Sequence, residues 1–329
     1  MNIHIVVPEA GKDYPRNWSE FLDWFGSEEA CLGYLERLRW GGGFVCPRCG
    51  SMAEAYRASR TRLMCRDCKY QGSVTAGTIF EKTRTPLRVW LAAAWYLTNQ
   101  KQGVSALGLQ RVLGLGSYQT AWAILHRLRR AMVRPDRDRL RGTVEVDETY
   151  LAITDRDAPQ SAQGRKNNTS KVVVALAVEV LEPKGFGRIR LRRIAADSAE
   201  FVVPFVQASV EPGTQLRTDG SAAYRSLAGL GYDHRRSVML GAEDPAHVAL
   251  AGVHRVASLI KRWILGTHHG AVQPEHLDAY LDEFVFRFNR RTSSSRGMLF
   301  YRLLQRAVIT DPVTYADIVL PEKEQGVPA

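Results

Sequence analysis

Hydrophobic and polar positions change their period several times along the chain. Between residues 87 and 97 the apolar side chains Leu87, Trp90, Leu91, Ala94, Trp95 and Leu97 fall at helical spacing, and Pro86 suits the first turn of the helix they predict. Residues 103–132 predict a helix, a short turn carrying Gly114 and Gly116, and a second helix with Ser117 as its N-cap. Ala121, Ile124, Leu125 and Leu128 face one side of that second helix. From residue 143 the period becomes two: residues 143–150 read as a strand whose end carries acids. A polar loop is expected over 154–170, and the apolar run 171–178 fits a central strand buried on both faces. Residues 188–194 alternate as a strand with one basic face, 198–209 predict a helix, and 216–220 a short strand ending in an acid. A short helix is expected around 221–228. Helical spacing returns in VHRVASLIKRWIL and again over 275–291, where Leu277, Tyr280, Leu281, Phe284 and Phe288 form a core stripe. Residues 318–329 are polar and expected to fray.

Three early strands, a helix, a fourth strand ending in Asp219 and later helices match the RNase-H-like arrangement. The expected fold is therefore α/β: an RNase-H-like mixed sheet with flanking helices, preceded by a small zinc ribbon and a helical, helix-turn-helix-like segment. The corresponding domains are 16–82 for the ribbon, 85–135 for the helical DNA-binding segment, 140–292 for the catalytic domain and 293–329 for a C-terminal helical extension and tail.

The ribbon rests on four of the five cysteines. Cys46 and Cys49 form C-P-R-C-G, Cys65 and Cys68 form C-R-D-C, and paired C-x2-C knuckles at this spacing predict one tetrahedral zinc site. Disulfides are the competing reading; a reducing compartment argues against them. Four thiolates leave no open position on the metal, so the predicted role is structural. Cys31 lies outside the pattern and is expected to be a core thiol.

Composition narrows the class. Hydrophobic residues make up 45% of the 329 positions and charged residues 24%, which excludes a disordered or collagen-like chain. No apolar run approaches the ~18 residues that cross a bilayer. The N-terminus lacks a basic region followed by an apolar core, so no signal peptide is expected and the protein is expected in the cytoplasm, associated with the nucleoid. The 45 Lys and Arg against 34 Asp and Glu fit a nucleic-acid partner. Arginines concentrate between residues 127 and 141 and again from Arg287 to Arg306. Arg127, Arg129 and Arg130, at the end of the second helix of the predicted helix-turn-helix, are expected to grip DNA phosphates while that helix enters the major groove. A helical hairpin linking two domains is the competing reading.

Asp147 ends the first predicted strand and Asp219 the fourth, which are neighbours in an RNase-H-like sheet. Two converging carboxylates repel unless a cation lies between them. Mg²⁺ takes such oxygens and leaves positions for phosphate, and a pair of ions suits phosphoryl transfer. Unrelated turn residues are the alternative, since Asp-Gly is a common turn dipeptide.

At this point a resemblance becomes specific. C-P-R-C-G and C-R-D-C, G-T-I-F-E-K-T-R-T-P-L (77–87), V-D-E-T-Y (146–150), T-D-G (218–220), L-I-K-R-W-I-L-G-T-H-H-G (259–270) and H-L-D-A-Y-L-D-E-F-V-F-R-F-N-R-R (276–291) carry it. The chain resembles bacterial insertion-sequence transposases of the DDE type, in the group with an N-terminal zinc ribbon, over roughly residues 20–305. The resemblance implies DNA cleavage at element ends and transfer of the 3′-OH ends into target DNA, with double-stranded terminal repeats and target as partners and a homo-oligomer assembled on them. It also implies a third acidic residue on a helix about 35 positions after the second Asp. Residue 254 stands 35 positions after Asp219, and it is His254. Lys261, seven residues on, matches the basic residue that follows the third acid in many relatives. His254 could ligate Mn²⁺ more comfortably than Mg²⁺, orient or deprotonate the nucleophile, or mark a decayed copy. Glu243, Asp244 and His247 are weaker candidates. Lys261, Arg262, Arg290 and Arg291 are expected near DNA. The alternatives are a catalytically decayed DNA-binding relic, or an RNase-H-like nuclease or resolvase that cuts without joining.

Overall fold

A computed structural model describes residues 7–58, 62–154, 169–237 and 250–319. The candidate acids Glu243 and Asp244, and His247, lie outside the described residues. The chain divides into two units, one holding the described residues up to Arg134 and those from Ser293 onward, the other those from Pro135 to Thr292.

The first unit opens with two short helices, α1 (Trp18–Trp24) and α2 (Glu28–Arg39), capped by Asn17 and Ser27. Three two-residue strands follow, β1 (Tyr56–Arg57), β2 (Leu63–Met64) and β3 (Gln71–Gly72), paired antiparallel in that order. Then come α3 (Leu87–Asn99), α4 (Ala106–Leu113) and α5 (Tyr118–Arg130). The Glu28 carboxylate caps α3 from a distance, accepting the Leu87 and Arg88 N–H groups at 2.9 and 3.0 Å. Gly114 ends α4 in the left-handed region at φ 62°, where a Cβ is disfavoured, and Ser117 accepts the Thr120 N–H to start α5. After residue 292 the chain returns to this unit. Helix α9 (Arg296–Ala307) packs on α3 and α2, and α10 (Tyr315–Val319) on α5. Phe300 of α9 meets Phe21, Phe25, Tyr34 and Trp95 in one aromatic cluster with ring centroids 5.3–6.2 Å apart. Gly297 is required there, because a Cβ would collide with the Pro15 carbonyl and the Tyr14 ring.

The second unit is built on a five-stranded sheet in the order β6-β5-β4-β7-β8. Strands β4 (Thr143–Thr154), β5 (Thr169–Val180) and β6 (Phe186–Ile194) run antiparallel; β7 (Gln215–Asp219) and β8 (Asp233–Ser237) run parallel to β4. This is the RNase-H-like mixed sheet that the element order implies. β5 is buried on both faces: Val174, Leu176 and Val178 face one helical layer, Val173, Ala175 and Ala177 the other. One layer is α6 (Ala199–Ser209) with the 3-10 helix Ala222–Leu230; the other is α7 (Ala251–His268) with α8 (Leu277–Phe288). The stripe Leu277, Tyr280, Leu281, Phe284 and Phe288 does enter the core. Helix α8 also closes the open edge of β6. Asn289 pairs with both the N–H and the carbonyl of Ile189, at 2.8 and 3.2 Å, and Asp278 accepts the Arg193 N–H. Among the described residues no helix is long and apolar enough to cross a membrane.

Candidate functional site

Two chemically distinct centres emerge, one in each unit. In the first, the Sγ atoms of Cys46, Cys49, Cys65 and Cys68 all lie within 4.8 Å of one another. Cys46 and Cys68 are 3.6 Å apart at sulfur, Cys49 and Cys65 3.7 Å. Four thiolates about 2.3 Å from one tetrahedral zinc ion would be about 3.8 Å apart, close to the separation in both of these pairs. The two knuckles share one backbone design. The fifth residue of each, Gly50 and Lys69, has positive φ and returns its N–H to the carbonyl of Cys46 or Cys65. N–H groups of Cys68 and Asp67 directed at Cys65 hold its thiol down at about 7, which favours the thiolate a metal needs. The apolar support is small: Phe44 and Leu63 with the cysteines, flanked by Trp40 and Tyr70. Cys31 is fully buried away from this set, and burial pushes its thiol up to about 11, as befits a core residue.

In the second unit, the pairing of β4 with β7 sets the candidate catalytic residues side by side. Thr143 pairs with Gln215, Val144 with Leu216 and Glu145 with Arg217; the same offset makes Asp147 level with Asp219. Neighbouring strands lie about 4.8 Å apart, and equal register gives both side chains the same face. That face is the one α7 covers. The Asp147 Oδ1 accepts the Glu148 N–H and the Asp219 Oδ1 the Ser221 N–H, both at 2.9 Å. Oδ2 of each has no hydrogen-bond partner among the described residues. Burial pushes the Asp147 carboxyl above the usual carboxylate range and the Asp219 charge adds to this; the Glu148 N–H and His254 pull it back.

His254 sits in the first turn of α7, half-buried, and its Nε2 is enclosed with no hydrogen-bond partner among the described residues. The helix start is held by a residue that the sequence reading overlooked. Glu145, only 3% exposed, accepts the N–H groups of Gly252 and Val253 on Oε2. Glu145 stands two residues before Asp147, so the alternation that exposed the strand also placed both acids on one face. Glu148, also overlooked, points to the opposite face, where it accepts the Tyr224 hydroxyl at 2.6 Å. Burial pushes its carboxyl up to about 7 against that hydrogen bond. Two carboxylates and an unengaged imidazole nitrogen suit an oxygen-seeking divalent cation with Mn²⁺ character. Lys261 and Arg262 lie two turns along α7, both exposed, with no ion-pair partner among the described residues.

The arginines expected at DNA divide into two groups. Arg130 is exposed at the end of α5. Arg129 is corrected: it is 1% exposed, because it lies one turn beyond Leu125 on the inward face of α5, and it does not reach the surface to grip phosphate. Arg127 is half-buried, with Nε donating to the Val313 carbonyl at 3.1 Å. Arg290 lies over the Phe286 ring and bonds its carbonyl. Arg291 covers the Phe288 ring and donates to the carbonyls of Phe186, Gly187 and Phe288, so its guanidinium ties α8 to the start of β6.

Comparisons with known proteins find matches in each unit. Residues 139–289 match the ISXO2-like transposase domain family, and residues 26–71 the transposase zinc-ribbon domain family. The chain is also similar to the uncharacterized protein in transposable element ISH50 of Halobacterium salinarum, 27% identical over 277 residues that cover 80% of this chain and 91% of that protein. The four clustered cysteines thus lie within the part similar to a transposase zinc ribbon, and the RNase-H-like sheet within the part similar to an ISXO2-like transposase domain.

Proposed function

We infer that the protein cleaves DNA at the ends of its element and joins the freed 3′ ends to target DNA, with Asp147, Asp219 and His254 forming the reaction centre. The observation that carries this reading is the level placement of Asp147 and Asp219 on adjacent parallel strands, beneath the helix turn that bears His254. Oδ2 of the two aspartates and Nε2 of His254 would hold Mg²⁺ or Mn²⁺. When bound, that ion supplies charge neutralisation for an in-line phosphoryl transfer.

In the first step a water oxygen bonds to the phosphorus at the element end. The water gives up a proton as the bond from phosphorus to the 3′ oxygen breaks, and that oxygen takes a proton and leaves as a hydroxyl. In the second step the new 3′-OH attacks a target phosphorus, loses its proton, and displaces the 3′ oxygen of the target strand. No protein nucleophile is needed. Asp147 and Asp219 would hold the cation that neutralises the reacting phosphate, and Lys261 and Arg262, on the helix that bears His254, hold the flanking phosphates. Because two ends must be processed together, the working form is at least a dimer on double-stranded DNA.

The test uses labelled end DNA, purified protein and either Mg²⁺ or Mn²⁺. Nicking and joining are expected from the wild type and from neither Asp147→Ala nor Asp219→Ala. Full cleavage by Asp147→Ala would overturn the assignment. Tight binding without cleavage by the wild type in either metal would instead identify a DNA-binding relic.

A further inference from the structure

The first unit contains a groove of about 390 Å³ that the reaction described above does not use. One wall is the loop 79–85 between the zinc ribbon and α3. The other is one face of α5, with Gln119 and Thr120 in its first turn and Arg127 in its last, and Tyr315 also lines the groove. Three cations line it, Lys82, Arg84 and Arg127, against the single acid Glu81. That acid is engaged: its Oε2 accepts the Gly77 N–H at 2.8 Å, and its other oxygen lies 3.8 Å from the exposed Lys82 ammonium. Neither Arg84 nor Arg127 has an ion-pair partner among the described residues. For Arg127 this is informative, since it is half-buried and its one hydrogen bond among the described residues is to a neutral carbonyl. A cation so enclosed without a counter-charge favours an anion in the groove.

The loop is built to hold its cations outward. Ile79 and Phe80 are buried, with the Phe80 ring edge-on to Trp90 at 5.3 Å. The Trp90 indole N–H and the Thr85 N–H both donate to the Thr83 hydroxyl oxygen, at 2.9 and 3.1 Å. Lys82 adopts a φ of 52°, a left-handed conformation uncommon for a side chain other than glycine. Anchored in this way, Lys82 and Arg84 flank a fixed residue, and less ordering is needed when a ligand arrives. Across the groove, α5 is the second helix of a helix-turn-helix made with α4, and the N-terminal residues of such a helix meet base edges in the major groove. Gln119 is exposed in that first turn. Its Oε1 accepts the Ser117 hydroxyl at 2.8 Å, and its Nε2 has no partner among the described residues.

We propose that this groove seats the phosphate backbone of the DNA duplex that α5 reads, with Lys82, Arg84 and Arg127 on the phosphates and Gln119 on a base edge. The assignment rests on the reading of the protein as one that acts on DNA, and not on its chemistry at Asp147 and Asp219.

Binding is therefore measured on the full chain carrying Asp219→Ala, which is expected to hold DNA without cutting it. Fluorescence anisotropy over a range of KCl concentrations compares a duplex from the element end with a scrambled duplex of equal composition. Adding Lys82→Ala and Arg84→Ala, both at exposed positions, is expected to weaken binding to both duplexes alike. The slope of log affinity against log salt should become shallower by about 1.8, because each phosphate contact contributes about 0.9. Gln119→Ala is expected to leave the slope unchanged and to reduce the preference for the end duplex by about tenfold. An unchanged slope in the Lys82/Arg84 variant would overturn the groove as the phosphate seat. Unchanged discrimination in Gln119→Ala would overturn the base contact. If the wild type cuts nothing yet shows this slope change, the catalytic reading fails and the groove stands.

Discussion

The Glu145 carboxylate accepts the backbone N–H of Gly252 at 2.7 Å, and the same oxygen accepts the N–H of Val253 at 3.0 Å. This buried contact fastens the first turn of α7 to β4 two residues from Asp147, and so fixes His254 relative to the aspartates. A carboxylate at a helix N-terminus also faces the positive end of the helix dipole. Glu145→Ala leaves two buried N–H groups without an acceptor, a loss on the order of 1–3 kcal/mol for each such group. We expect reduced stability in urea and a larger fractional loss of end cleavage than of DNA binding. Glu145→Gln retains a carbonyl oxygen at the same place and should recover much of both. Equal cleavage by Glu145→Ala and the wild type would show that α7 needs no such anchor.

Gly252 is expected to be intolerant for a steric reason. A Cβ there would lie 2.8 Å from the buried Glu145 Oε2 and 3.1 Å from the partly buried Phe186 ring, which packs against the core. Gly252→Ala should push the helix start off β4, despite alanine's better helix propensity. The check is a urea melt beside Gly266→Ala on the same helix, where no atom lies within 4 Å of the added Cβ. The first variant should lose stability and the second should hold or gain about 0.5–1 kcal/mol.

Zinc should account for most of the order in the ribbon. Among the described residues its buried cluster holds Phe44 and Leu63 beside two cysteines, with Trp40, Ala55 and Tyr70 partly buried against it, too little to fold three two-residue strands by burial alone. Purified protein should carry about one zinc per chain. Cys65→Ser should lose it and open residues 40–72 to proteolysis, while Asp147→Ala keeps both the metal and the protection. A metal-free protein with a protected ribbon would refute this.

These regions were not equally legible in the sequence. The cysteine knuckles, the alternation at 143–150 and the stripe from Leu277 to Phe288 announce their structure because spacing alone sets which side chains meet. β8 was missed, since Asp233–Ser237 (DHRRS) is a polar edge strand with no apolar face to reveal it. Arg129 was misread because a run of arginines does not show which one the helix turns inward. The partnership of Glu145 with α7 spans 107 residues and rests on backbone N–H groups, which carry no sequence signal.

Asp282 on α8 provides a pH signature of its own. Burial pushes its carboxyl up to about 7, although Arg137 pulls it down. Its unfolded value is about 3.9, so the fold favours the protonated form. The stability this provides is complete below pH ~4, falls as pH rises toward 7, and is gone above it. Asp282→Asn should remove this decline, adding on the order of 2 kcal/mol at pH 8 and little at pH 4. Parallel urea titrations at the two pH values test it; an equal change at both would exclude Asp282 as the titrating group.

His254 supplies the sharpest test of the reaction centre, because replacing it alters the donor type without moving the aspartates. An imidazole nitrogen suits Mn²⁺ better than Mg²⁺, whereas a carboxylate oxygen suits both. The wild type should therefore cleave end DNA faster in Mn²⁺ than in Mg²⁺. His254→Glu should narrow that difference, and His254→Ala should lose cleavage in both metals. Each variant should still bind the end duplex, since the groove beside α5 is in the other unit. If His254→Ala cleaves as well as the wild type in both metals, Asp147 and Asp219 act without it and the enclosed Nε2 has only a packing role.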